Sequence, residues 1–296
     1  GKFRRQRQMC IRDRHRGKKD KTILVGRERA YHGVGFGGIS VGGLPLNKKH
    51  FSLLDNVDHV VTTHNLEKNA FSRGEPEWGC ELADDLYRII EKYGADRIAA
   101  FITEPLAGST GVLIPPKGYL KKIREICTEH DILLIFDEVI TGFGRLGTPF
   151  ASHYFDVIPD IIVCAKGLTS GTVPMGAVMV KKTIYDAHQD GDPKMIDLFH
   201  GYTYSAHPLA AAALIATLEV YQEEGLFDQA AQMASYWENA LHSLKGIDHV
   251  IDIRNLGFVG GIEMSTQDGK IGKRGYNVFE KAFHEENVLL RFTGDI

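Results

Sequence analysis

The 296-residue sequence has few cysteines, only two tryptophans, and no apolar run near the ~20 residues that a membrane helix needs. Its four cysteines, Cys10, Cys80, Cys127 and Cys164, form no CxxC pair and lack metal-ligand spacing. That argues against a zinc ribbon and against a disulfide framework. Two of them fall inside apolar segments, so reduced, mostly buried thiols in a cytoplasmic protein are expected. No signal-type apolar segment opens the sequence. There is no internal repeat and no low-complexity linker, and the length suits one large domain or two.

Charge is unevenly spread. The net value of −3 hides ten of the 35 Lys and Arg residues within positions 1–21, against only Asp13 and Asp20. The remainder carries 25 basic and 36 acidic residues. A basic arm can bind nucleic acid, but "GKFRRQRQMCIRDR" has neither helical nor strand periodicity, and no basic and aromatic face continues it. Residues 1–16 are therefore expected to be non-native or disordered, with no nucleic-acid partner.

From Thr22 onward, strand-like and helix-like segments alternate. "TILV" (22–25), "RIAAFITEP" (97–105), "ILLIFDEV" (132–139), "DIIVCAK" (160–166) and "GAVMVKK" (176–182) read as strands. "CELADDLYRIIEKYG" (80–94) and "GYLKKIREICTEH" (118–130) each place their apolar residues on one helical face. Continuous apolar strands between amphipathic helices predict an α/β fold with a mostly parallel sheet covered on both sides. Pro208 suits the first turn of an alanine-rich helix, with Ser205 as its expected cap. Another helix is expected at about 227–244. A smaller α+β unit follows: two strands in 249–264, a helix near 275–286, and the apolar run "VLLRF" (288–292). The expected large domain spans 17–226 and the small one 227–296.

Ligands of open parallel sheets bind beyond the carboxyl ends of the strands. Three of these strands end in chemically loaded residues: Glu104, Asp137-Glu138 and Lys166. Asp137 and Lys166 are 29 residues apart, about one strand–helix–strand crossover. A lysine amine can form a Schiff base with a carbonyl, and a dry pocket assists by lowering its pKa. Pyridoxal phosphate also needs a carboxylate beside its ring nitrogen to remain an electron sink. A lysine reaching for water and a helix-capping aspartate fit the same spacing. Gly142-Phe-Gly144-Arg-Leu-Gly147 satisfies a dinucleotide fingerprint, yet too few residues follow before Asp160 for the required helix. "YHGVGFGGISVGG" (31–43) offers Tyr31 and His32 for contact with a flat cofactor, or is a mobile glycine loop. "HGYTYSAHP" (200–208) offers hydroxyls near a helix start, which suits phosphate or plain capping.

Together, "IFDEVITGFGRLGTPFAS" (135–152), "PDIIVCAKGLTSG" (159–171), "PMGAVMV" (174–180) and "FHGYTYSAHPLAAAAL" (199–214) resemble the class III pyridoxal-phosphate aminotransferases. "GRERAYHGVGFGGISVGG" (26–43) and "TEPLAGSTGVLIPPKGYL" (103–120) are most similar to the branch that moves an amino group from ω-amino acids such as β-alanine, or amines, to pyruvate. The resemblance implies fold type I, a large α/β domain followed by a smaller α+β one. It implies pyridoxal 5'-phosphate held on Lys166 with Asp137 at its ring nitrogen. Val139 and Tyr31 would cover the two ring faces, with His32 and Glu104 nearby. Thr203 would reach the phosphate of the neighbouring subunit's cofactor, so a homodimer or a higher homo-oligomer is implied. Arg291 would meet the substrate carboxylate. Where glutamate-using relatives often carry a gating glutamate, this sequence has Ser109, which favours pyruvate. The phosphate-gripping "SGSEA" segment and the end of the small domain are absent, so the chain is expected to be incomplete. A decarboxylase or aminomutase would share the lysine and aspartate, whereas an NAD-dependent oxidoreductase would need neither.

Overall fold

The computed structural model describes residue 13, residues 16–188 and residues 201–296. Six strands form the main sheet: β1 (Ile23–Arg27), β2 (Val57–Val60), β3 (Ile98–Thr103), β4 (Leu133–Asp137), β5 (Ile161–Ala165) and β6 (Gly176–Val180). Their order is β2-β1-β3-β4-β5-β6. The first five run parallel, and β6 closes one edge antiparallel to β5.

Burial explains why these strands lack polar alternation. Phe101 of β3 joins one core with Val25, Leu134 and Phe136. Its neighbours Ala100 and Ile102 join another with Leu133, Ile135 and Val163. Successive side chains leave a strand on opposite faces, so a sheet covered on both sides is apolar throughout. Two amphipathic helices cover the first face. α1 (Asp85–Tyr93) buries Leu86 and Ile89, and α2 (Tyr119–Glu129) buries Leu120, Ile123, Ile126 and Cys127. The segment predicted as one helix over 80–94 opens with a 3-10 turn at Cys80–Asp84 and stops at Gly94.

α3 (Pro208–Glu223) places Pro208 in its first turn, where no N–H is needed. Its cap is His207, whose ring accepts from the Leu209 N–H. Ser205 is not the cap: it stands too early in the turn and accepts from the Tyr202 N–H instead. α4 (Leu226–His242) packs on an antiparallel hairpin, β7 (Val250–Leu256) and β8 (Val259–Met264), and α5 (Lys273–His284) follows. The apolar run at 288–292 forms no strand. Both described sheets are complete without it, and Val288, Leu289 and Leu290 remain exposed.

Apart from Asp13 and Arg16, the arm expected to be non-native at 1–16 lies outside the described residues. Arg16 and Lys18 pair with Asp131 at 3.0 and 2.9 Å, and Lys21 bonds the same residue. No helix among the described residues is long and apolar enough to cross a membrane.

Candidate active site

Because β1, β3, β4 and β5 run parallel, their carboxyl ends share one edge of the sheet. Arg27 ends β1, Glu104 follows β3, Asp137 ends β4 and Lys166 follows β5. The register pairs Asp137 with Val163, three residues before Lys166. The acid and the amine thus lie at the ends of neighbouring strands.

Asp137 is only 5% exposed. The His32 imidazole reaches its Oδ2 from Nδ1 at 2.9 Å, and the Val139 N–H donates to Oδ1 at 3.3 Å. Its neighbour Glu138 serves the backbone instead. That buried carboxylate accepts from the Ala151 and Ser152 N–H groups at 2.6 and 2.8 Å and from the Thr141 hydroxyl at 2.9 Å. It satisfies amides that the short helix Ala151–Tyr154 would otherwise leave open at its start.

Lys166 opens a 3-10 turn, Lys166–Thr169, with φ +53°. A non-glycine residue in the left-handed region is uncommon, and such strain gathers at functional sites. Phe143 (φ +66°) and Ser170 (φ +50°) share the conformation. All three line a cavity of about 750 Å³ together with Val139, Arg145 and Tyr221. The Lys166 amine is held below the ordinary lysine value, first by partial desolvation and then by the charge of Arg291. Arg145 adds to this, while Asp137 and Glu104 oppose it. A lowered pKa makes a lysine a better nucleophile near neutrality.

Glu104 is 4% exposed, and its Oε1 accepts from the Tyr31 N–H at 2.7 Å. Burial pushes its carboxyl up to about 8, with the charge of Asp137 adding and Arg27 opposing. The glycine-rich segment 31–43 is no loose loop. It contains the helix Phe36–Val41, and a Cβ at Gly43 would meet the Arg27 carbonyl oxygen at 2.2 Å. The glycine there permits close backbone approach.

Of the sequence-predicted residues, Lys166 and Val139 line the cavity itself. Asp137, His32, Tyr31 and Glu104 form a bonded group at the sheet edge, outside that lining. Thr203 stands exposed in the turn before α3. Arg291 is exposed, within electrostatic reach of Lys166. The 142–147 fingerprint opens no helix. Gly147 has φ +74°, and a Cβ there would press on the Ala231 backbone of α4 at 2.8 Å. These glycines serve packing, so the dinucleotide reading loses its support. Sequence reasoning missed Phe143, Arg145, Tyr221 and Phe227 on the cavity wall. The Tyr221 hydroxyl donates to the Gly167 carbonyl at 2.7 Å, beside the lysine. Only tertiary packing brings these aromatics together, so local pattern carries no signal for them.

The family model described as Aminotransferase class-III matches residues 6–296. The chain is 60% identical over 284 residues to an omega-aminotransferase of Caulobacter vibrioides, covering 96% of this chain and 64% of that protein. It is 46% identical to a beta-alanine--pyruvate aminotransferase of Pseudomonas aeruginosa, covering 95% of this chain and 63% of that one. It therefore spans just under two thirds of the length of these relatives. A solved transaminase structure with L-ala superposes with a TM-score of 0.92 at 33% identity, covering 99% of this chain and 70% of that one. An omega transaminase from Pseudomonas jessenii in complex with PMP superposes with a TM-score of 0.90 at 32% identity, covering 99% and 66% of the two chains.

Proposed function

Because the chain belongs to the class III aminotransferase family, we propose that its protein moves an amino group from a β-alanine-like ω-amino acid or an amine to pyruvate, using pyridoxal 5'-phosphate. The observation that carries this reading is the pairing of Asp137 and Lys166 at neighbouring strand ends, with Lys166 strained into a cavity. The residues fit the cofactor. They supply a buried carboxylate braced by His32, an amine of lowered pKa, and Val139 beside that amine in the cavity wall.

When bound, the cofactor supplies an electron sink for a bond broken at the donor's amine-bearing carbon. Lys166 would hold its aldehyde and, once freed, move a proton as general base and then acid. Asp137 would face the ring nitrogen and keep it protonated. Val139 and Tyr31 would cover the ring faces, with His32 and Glu104 completing the surround. Arg291 would bind the substrate carboxylate, for which its planar fork of donors is suited. Thr203 would serve the cofactor of a neighbouring subunit, which makes the working unit a homodimer or a multiple of dimers. Thr203 is exposed, as reach toward a neighbouring subunit requires, and Arg291 is exposed within electrostatic reach of Lys166.

In this reading residues 17–226 form the cofactor-holding unit and 227–296 the smaller one. The buried, unpaired thiols of Cys127 and Cys164 suit a reducing compartment, so the cytoplasm is the proposed location. The test is made on the full-length protein. Borohydride should fix pyridoxal phosphate on the peptide carrying Lys166, and β-alanine with pyruvate should yield alanine. Release of CO2 from the donor without alanine would favour a decarboxylase and overturn the reading, as would a colourless protein with nothing fixed on Lys166.

A further inference from the structure

Glu104 is a buried carboxyl at the heart of the sheet edge, and the proposed reaction gives it no direct step. Its environment suggests another task. β3 and β4 pair so that Thr103 lies opposite Phe136, which sets Glu104 and Asp137 at matching positions just beyond. Each carboxyl grips one of two consecutive residues. Asp137 takes the side chain of His32, and Glu104 takes the backbone N–H of Tyr31. The stem of the same loop is pinned on β1. The Ala30 N–H donates to Arg27 at 3.3 Å, and the Gly43 N–H donates to Ala30 at 2.8 Å.

We infer that Glu104 is a positioning residue for Tyr31: by accepting its backbone N–H, it fixes Tyr31, and with it one wall of the cofactor site, against the carboxyl edge of the sheet. This rests on the reading of Tyr31 as a ring-face residue. The grip acts on the backbone, so it holds whatever the phenol ring does. It needs an acceptor oxygen and not a negative charge. The charged groups acting on Glu104 are Asp137 from β4 and Arg27 from β1, and Glu104 in turn acts on Lys166 beyond β5. Asp137 is the member of the pair braced by an imidazole, and Glu104 can perform its task as an uncharged acid.

Two substitutions separate the acceptor from the charge. Glu104→Gln keeps a carbonyl oxygen at the same reach, and Glu104→Met keeps the length and bulk without a good acceptor. Both are made in the full-length protein. Hydrogen exchange at the Tyr31 amide is measured without cofactor, and the dissociation constant for pyridoxal phosphate is measured separately. In Glu104→Met, exchange at Tyr31 should quicken by about tenfold, the worth of one hydrogen bond, and the dissociation constant should rise by about the same factor. Glu104→Gln should stay near wild type in both. The proposal fails if the Tyr31 amide remains protected in Glu104→Met. It also fails if Glu104→Gln loses as much as Glu104→Met, or if exchange quickens while cofactor affinity holds. A wild-type protein that binds no pyridoxal phosphate would overturn the functional reading itself, and that result is seen before any variant is made.

Discussion

Glu104 and Asp137 follow one another at the ends of paired strands, where burial penalises a charge on Glu104 and the like charge of Asp137 adds to that penalty. The molecule relieves this by protonation of Glu104, whose carboxyl is raised from 4.5 to about 8. Between those values the native state holds a proton that the unfolded chain has released. Stability therefore falls as pH rises through that window and levels off above it. Glutamine has no proton to lose, so the thermal advantage of Glu104→Gln over wild type should widen from about pH 5 to about pH 8. An advantage that stays constant across the range would mean that Glu104 is ionised throughout. At Lys166 the expectation is kinetic. Lys166→Ala should lower turnover by about 10²–10⁴-fold, the worth of a placed general base. Added primary amine should restore part of it, and full activity without the lysine would remove it from the proposed mechanism. The placement of Lys166 and Asp137 at strand ends was legible in the sequence, because each closes an apolar run. The bond from Tyr31 to Glu104 was not, since it spans 73 positions and depends on strand order.

The elements themselves were largely legible, because apolar runs and helical stripes directly reflect what each surface packs against. β1, β3, β4, β5, α1 and α2 follow their predicted segments within a few residues. The misses have physical causes. Whether an apolar run such as 288–292 becomes a strand depends on a tertiary neighbour, and here it joins neither described sheet. The choice of cap at α3 turns on one residue of turn geometry, which pattern does not encode. The same reasoning assigns Glu138 a structural role. Adjacent to Asp137 and fully buried, it holds three donors that anchor the 140–151 turn to the end of β4. That turn carries Gly142–Gly147 and leans on α4 and on the β7–β8 hairpin, where the Phe258 N–H donates to the Arg145 carbonyl at 2.8 Å. Glu138→Ala leaves those donors without their carboxylate in a buried site. It should cost on the order of 3 kcal/mol in denaturant unfolding. It should also loosen the wall bearing Phe143 and Arg145. A loss below about 0.5 kcal/mol, the range of ordinary surface changes, would mean that water replaces the carboxylate there.

The cavity beside Lys166 exists only while the two sheets stay docked, because its wall takes Lys166 and Val139 from the main sheet's edge and Phe258 and Val259 from the hairpin. Arg254 of β7 is the principal tie. Its guanidinium donates to the Gly111 carbonyl at 2.9 and 2.7 Å and to the Val112 carbonyl at 3.0 Å, both in the loop after β3. It also bonds Asp252, and Glu263 at 2.7 Å. Asp252 in turn accepts from the Phe71 N–H, and His64 lies 3.4 Å from Glu263. His64, Asp252 and Glu263 gather ligand-type atoms as a metal site would, but the guanidinium already supplies the positive charge between the carboxylates. Burial alone would raise Glu263, yet His64 and Arg254 outweigh it and hold the carboxyl down to about 2. A depressed acid adds stability that is complete above its unfolded value of 4.5 and is lost as pH falls through about 2. Arg254→Met keeps the bulk but strands the buried Asp252 charge. It should cost about 3–5 kcal/mol, as breaking a buried pair does. It should also move acid unfolding to higher pH, because the variant enters the acid range with less stability to lose. Acid titration followed by tryptophan fluorescence would show this through Trp237, which stands in the cavity wall on α4. An unchanged acid midpoint in Arg254→Met would mean that apolar contacts, rather than this ion pair, hold the hairpin over the site.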